Sequence, residues 1–241
     1  ETADSGFIVT GLAENYPPIE MFSIILKLQS NGDVEWCKNL SVSSANLDLI
    51  SDVIVSGDDF IFSGAIGGDY VLIKTDSAGQ VKWAKNQMVY SDGYINSPQT
   101  RIRKISNNRI MMLTSSEMGW FGTLMVCDSL GNQISQNSIY LYGSSAVEAA
   151  DNGFMVLGNG PLLGVKSDPK NITESQFVLV KTDSSGNSIM CNDPLTAASS
   201  AISVTSSLMT PTVTPAGAIN HLGCVINNII VTVANECVGF L

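Results

Sequence analysis

Six carboxylates are the residues most able to do chemistry in this chain: Asp52, Asp58, Asp59, Glu117, Glu148 and Asp151. A glycosidase needs two such groups within about 5–10 Å of each other across a scissile bond. Here they fall mainly at the ends of strand-like runs and in turns, where a solvated face is the default reading. A nucleophile–base triad needs an imidazole, and the chain holds a single one, His221. That removes most triads and every histidine-rich metal centre. No CxxC pair occurs, so a zinc site is not expected. With no nucleotide or metal motif either, the sequence predicts no catalytic residue, no organic cofactor and no metal.

Two further patterns carry charge or oxygen ligands. Lys74 lies two residues before Asp76, and Lys181 two before Asp183, so each pair shares a strand face and reads as a structural ladder. Aspartates also precede the serine–glycine turns at Asp76, Asp128 and Asp183. A calcium loop needs several carboxylates in one short span, whereas each turn offers about one. These aspartates are therefore expected to form turns by accepting backbone N–H bonds.

The turns themselves reveal the organisation. Ser30-Asn31-Gly32-Asp33, Ser77-Ala78-Gly79-Gln80, Ser129-Leu130-Gly131-Asn132 and Ser184-Ser185-Gly186-Asn187 recur about every 50 residues. Gly32, Gly79, Gly131 and Gly186 are the predicted structural turn residues, supplying the positive φ of a tight hairpin bulge. Before each turn runs an apolar strand, Ile24–Leu28, Tyr70–Lys74, Thr123–Val126 and Phe177–Lys181, with a lysine that the third copy replaces by Val126. After it comes a second strand, Val34-Glu35-Trp36 and Val81-Lys82-Trp83, whose later copies lose the tryptophan. A third strand lies further upstream, as in Asp4–Gly11 and Asp151–Gly158, and segments such as Leu47–Val55 and Thr100–Ile105 can supply a fourth. Four short strands in such a unit match the inventory of a β-propeller blade. The expected division is 1–56, 57–106, 107–150 and 151–194, with Phe7, Phe60, Ile110 and Phe154 in blade cores and Trp36 and Trp83 buried between blades. Four units are few for a closed ring, so a partial propeller, or one completed by absent residues or another chain, is expected.

Composition agrees with an all-β class. Of 241 residues, 44% are hydrophobic and 7% aromatic, enough to bury a core, and no helical periodicity persists for three turns. A formal charge of −10 opposes nucleic-acid binding and docking on an anionic bilayer. No apolar run is long enough to span a membrane as a helix. The chain starts at Glu1, already inside a repeat, as expected of a processed or partial chain.

Beyond Asp193-Pro194 the repeat stops. Residues 195–241 read as a linker rich in serine and threonine, then a strand segment. The apolar run Val225–Val233 would be an aggregation hazard unless paired, so residues 219–241 are expected to add one or two strands to a sheet edge. Five cysteines are present. Cys37 and Cys127 sit in strands and are expected as buried thiols. Cys224 and Cys237 are the leading disulfide candidates, with Cys191 a competitor for either. The loop Met118-Gly119-Trp120-Phe121 offers aromatic anchors, with Trp120 alternatively filling the space of the lost strand tryptophan. Tyr16, in the loop 14–20, is a further binding candidate, and the loop 161–175 is another variable surface.

The opening Asp4-Ser5-Gly6-Phe7-Ile8-Val9-Thr10-Gly11 and the segment Lys74–Trp83 resemble the extracellular β-propeller repeat regions of large secreted proteins of Bacteroidota, often exported by the type IX secretion system. The resemblance spans residues 1–194, and its motifs specify fold rather than ligand. It implies an extracellular or cell-surface location, and O-glycans at Ser77 and Ser129, which follow aspartates and precede Ala78 and Leu130. Asn39 and Asn171 head N-glycosylation sequons, which matter only where that machinery exists. The expected function is a non-catalytic surface module that binds or scaffolds protein or glycan. A structural subunit of an outer-membrane secretion or gliding-motility assembly is the alternative, and a propeller hydrolase or lyase ranks behind both.

Overall fold

The computed structural model describes residues 1–15, 20–42, 49–66, 69–87, 99–115, 122–139, 142–160, 176–188, 199–201 and 204–209. They form sixteen strands and, apart from one 3-10 turn at Ser106–Asn108, no helix among the described residues. The class is all-β, as the composition predicts. Four antiparallel sheets carry it.

The first sheet holds β1 (Phe7–Asn15), β2 (Glu20–Leu28) and β3 (Val34–Val42). The second holds β4 (Leu49–Ser56), β5 (Asp59–Ile66), β6 (Asp69–Thr75) and β7 (Val81–Gln87). The third runs β8 (Gln99–Ile105), β9 (Arg109–Ser115), β10 (Gly122–Cys127) and β11 (Gln133–Ile139). The fourth has β12 (Tyr142–Glu148), β13 (Phe154–Gly160) and β14 (Gln176–Lys181). Two strands of the tail then return to the outer edges: β15 (Ser199–Ala201) pairs with β7, and β16 (Val204–Met209) with β3. Part of the stretch read as a linker is thus strand. The segment 219–241 lies outside the described residues. Among the described residues no closed barrel or ring of sheets forms.

Strand β4 was expected at the end of the first unit, with the boundary at 56. It pairs with β5 instead, from Leu49 opposite Ala65 to Ser56 opposite Asp59. The tight hairpin at Gly57-Asp58 is responsible, because a two-residue connection forces the flanking strands to be neighbours. The second, third and fourth sheets therefore each begin one strand earlier than the repeat motif suggests.

Both faces of the inner sheets are apolar because both are covered. We call the face turned to the preceding sheet the back and the other the front. Ile25 and Leu40, on the front of the first sheet, meet Phe60, Phe62, Val71 and Ile73 on the back of the second. Ile61 and Leu72, on its front, meet Ile110, Met112 and Met125 of the third. Met111, Leu113 and Leu124 then meet Phe154, Val156 and Val180 of the fourth. The strand period of two makes this possible, since neighbours such as Phe60 and Ile61 serve opposite interfaces.

One core expectation fails. Phe60, Ile110 and Phe154 are buried, but Phe7, at the same repeat position, is 43% exposed. It lies on the back of the first sheet, which no described residue covers. Trp36 and Trp83 are half-buried at the sheet junctions rather than fully enclosed.

Candidate functional site

The repeated turns have the geometry the sequence predicts. Asp76 N–H donates to Gln80 O and Gly79 N–H to Asp76 O, and the same two bonds recur at Asp128/Asn132/Gly131 and Asp183/Asn187/Gly186. Gly32, Gly79, Gly131 and Gly186 all have φ between +71° and +88°, where glycine alone is unstrained. Asp76, Asp128 and Asp183 each accept the N–H four residues on, through Oδ1. The carboxylates are thus occupied by backbone donors. Among the described residues no cluster of three metal-ligating side chains occurs.

The strand lysines do not pair with these turn aspartates. Lys27 Nζ lies 2.7 Å from Asp4 and 3.1 Å from Glu35, Lys181 Nζ 2.7 Å from Asp151, and Lys74 Nζ 3.1 Å from Asp59. In each case the aspartate sits at the start of the adjacent strand or just before it, and the register Ile8–Lys27, Ile61–Lys74 and Met155–Lys181 sets it beside the lysine. In the first and fourth sheets the aspartate also accepts an N–H from Gly6 or Gly153. A Cβ on either glycine would meet the lysine Nζ at 2.5 Å, so the motif Asp-x-Gly makes room for the ammonium it binds. The second sheet solves the problem differently: Asp59 occupies the glycine position and reaches Lys74 and Lys82 directly. The third sheet drops the device, with Val126 replacing the lysine and Arg109 turned to Glu148.

Most of the candidate carboxylates have hydrogen-bond or ion-pair partners of this kind. Asp52 accepts N–H bonds from Val53 and from Ile102 of the next sheet. Glu148 accepts from the Ser106 N–H and hydroxyl. Asp151 is held by Lys181 at 2.7 Å. Glu117 lies outside the described residues. So do Trp120, Phe121 and Tyr16, and with them Cys191, Cys224 and Cys237. Cys37 and Cys127 are buried free thiols, as expected, and burial pushes the Cys127 pKa up to about 12.

Ionisation follows the same contacts. The hydrogen bond from Lys27 chiefly, then those from Thr2 and Gly6, hold Asp4 well below the ordinary carboxylate range. Lys82 does so first for Asp59, and Lys181 for Asp151. Burial alone would lower Lys27, but its bonds to Asp4 and Glu35 outweigh that and leave it raised. A depressed folded-state pKa contributes stability above the unfolded value near 4, lost as pH falls through the folded one. Urea midpoints should therefore stay level from about pH 7 to 5 and decline below about pH 4. The raised Lys27 acts in the opposite direction, its contribution being complete below an unfolded pKa near 10.4 and lost only at higher pH. An unchanged midpoint at pH 3 would refute the clamp reading.

A shallow cleft opens between the second and third sheets, lined by Lys74, Lys104, Arg109, Asn108 and Ser129 among others. Two of its three cations are already paired, Lys74 with Asp59 and Arg109 with Glu148. Ser77 is exposed on its turn, while Ser129 is half-buried at the cleft wall.

A feature that the sequence reading missed lies at the two ends of the sheet series. Phe7 and Val9 are exposed on the back of the first sheet, and Val147, Leu157, Phe177 and Leu179 on the front of the fourth. Phe7 aligns with Phe60 in the repeat, so the sequence carried the signal. Among family models and curated proteins, the chain finds no match.

Proposed function

We propose that the chain is a non-catalytic module, part of a β-propeller, that binds or scaffolds protein or glycan at a cell surface. One observation carries this reading. Among the described residues, the charged and polar groups that recur from sheet to sheet are engaged in lysine clamps and turn bonds, and none of them is left directed at a substrate. The propeller reading is supported by the order of the sheets. Strands β4, β8 and β12 each open a sheet, and β4 packs beside β8 and β8 beside β12, as the innermost strands of successive blades would. The motif Asp-x-Gly-Phe and the lysine–turn segment support a secreted location through their resemblance to surface repeats. Function then resides in the loops between strands, which vary where the strands repeat.

The test pairs turnover with binding. Incubated with polysaccharides and aryl glycosides, the chain should release no reducing ends. On arrays of surface glycans and proteins it should bind saturably. Replacing Tyr16, Trp120 or Phe121 by alanine should weaken that binding at least about tenfold, as aromatic anchors do. Product release abolished by Asp58→Asn or Glu117→Gln would overturn the reading in favour of a hydrolase.

A further inference from the structure

We infer that the two exposed end faces are halves of one interface, and that a second copy of this chain joins them front to back. This goes beyond the scaffold reading and holds whether or not a foreign ligand binds the loops.

The chain builds this interface three times within itself. On each occasion the front of one sheet covers the back of the next. The repeat positions of Phe7 and Val9 are filled by Phe60 and Phe62, then Ile110 and Met112, then Phe154 and Val156, and all six are buried. Only in the first sheet does that pair face outward. The front face repeats the pattern. Leu179 aligns with Ile25, Leu72 and Leu124, which are all buried, yet it is 61% exposed, and Phe177 beside it is 83% exposed. In register, Leu157 lies opposite Leu179 and Asn159 opposite Phe177, which places these apolar groups on one face.

The polar furniture matches as well. Lys27, on the front of the first sheet, is clamped to Asp4 within a covered interface, its side chain only 3% exposed. Lys181 makes the same clamp to Asp151 on the front of the fourth sheet, where its side chain is 41% exposed. The end of the series is thus already arranged as an interior junction is. Its complement is the other end of the same molecule, with the same residue types at the same register. A surface whose partner is a different surface of an identical copy forms a heterologous contact, which closes into a ring when the rotation permits. Two copies would supply eight sheets, within the four to eight blades of known propellers.

The test is solution mass by light scattering on the 241-residue chain. The wild type should weigh twice 25.6 kDa. Leu179→Glu spoils the front and Val9→Glu the back, and each variant should weigh 25.6 kDa. Both sites are exposed in the single chain, so each variant should keep the wild-type far-ultraviolet spectrum. Mixed one to one, the two variants retain one intact front and one intact back, and should recover the two-copy mass. A single-copy wild type at up to about 100 µM, where even weak interfaces assemble, would overturn the inference. So would a mixture that stays at the single-copy mass, since a symmetric contact behaves that way. A wild-type mass that climbs without limit with concentration would overturn closure by two copies.

Discussion

Phe60→Ala should lose about 4 kcal/mol of unfolding free energy, whereas Phe7→Ala, the same change at the same repeat position, should lose less than about 1 kcal/mol. Phe60 is 2% exposed and packs on Trp36 and Phe62, with ring centroids 6.4 Å away in each case. Deleting it removes the transfer free energy of a buried ring and leaves a cavity between two sheets that cannot collapse onto each other. Phe7 has solvent on its outer side and leaves no cavity. The comparison belongs at submicromolar protein, where copies are apart, and the readout is the urea midpoint with its slope. Equal losses at the two positions would mean that the back of the first sheet is covered after all.

Gly64→Ala should be nearly as damaging, at about 3 kcal/mol, the upper part of the range for overpacking. A Cβ at Gly64 would lie 2.2 Å from the carbonyl oxygen of Leu49 and 3.1 Å from the Cα of Ile50. Both are backbone atoms, so no rotamer change can relieve the clash. The close approach coincides with an irregularity in the β4–β5 register between Ile50 and Asp52. There, too, the Ile50 N–H donates to Ser23 Oγ of the first sheet at 3.0 Å. Displacing β4 would therefore disturb a junction between sheets as well as a pairing within one. Gly11, at the same repeat position, would meet only the Ile24 side chain at 3.6 Å, and its alanine variant should be nearly neutral. Thermal unfolding of the two variants side by side decides the matter, and similar losses would refute the backbone argument.

The repeat was legible because turn chemistry is local. The φ of Gly79 or Gly131 and the bonds of Asp128 depend on four or five adjacent residues, which the sequence displays in order. The strands followed from apolar alternation for the same reason. The sheet boundaries were less legible, because β4 can pair with either neighbour on pattern alone and only the Gly57-Asp58 hairpin settles the choice. The lysine partners were misassigned through the same limitation. Lys74 and Asp76 share a strand face, but Asp59 is brought to Lys74 from an adjacent strand by register. Phe7 illustrates a different limit. Its type and position say that it belongs in a core, and only its exposure on the back of the first sheet, which no described residue covers, says otherwise.

The return of the tail to β3 and β7 has a consequence for the order of events during synthesis. Each sheet is otherwise assembled from hairpins whose partners are close in sequence, and such contacts form quickly. The pairing of β16 with β3, which sets Val204 opposite Val42, is by far less local. A ribosome delivers the first two sheets early and the strands that cover their outer edges much later. Until then β3 and β7 stand as open templates for any passing strand. Lys38 on β3, and Lys82 and Lys85 on β7, put charge on those edges, a standard protection against pairing with strangers. The nascent chain thus carries its own temporary guard, and the tail relieves it.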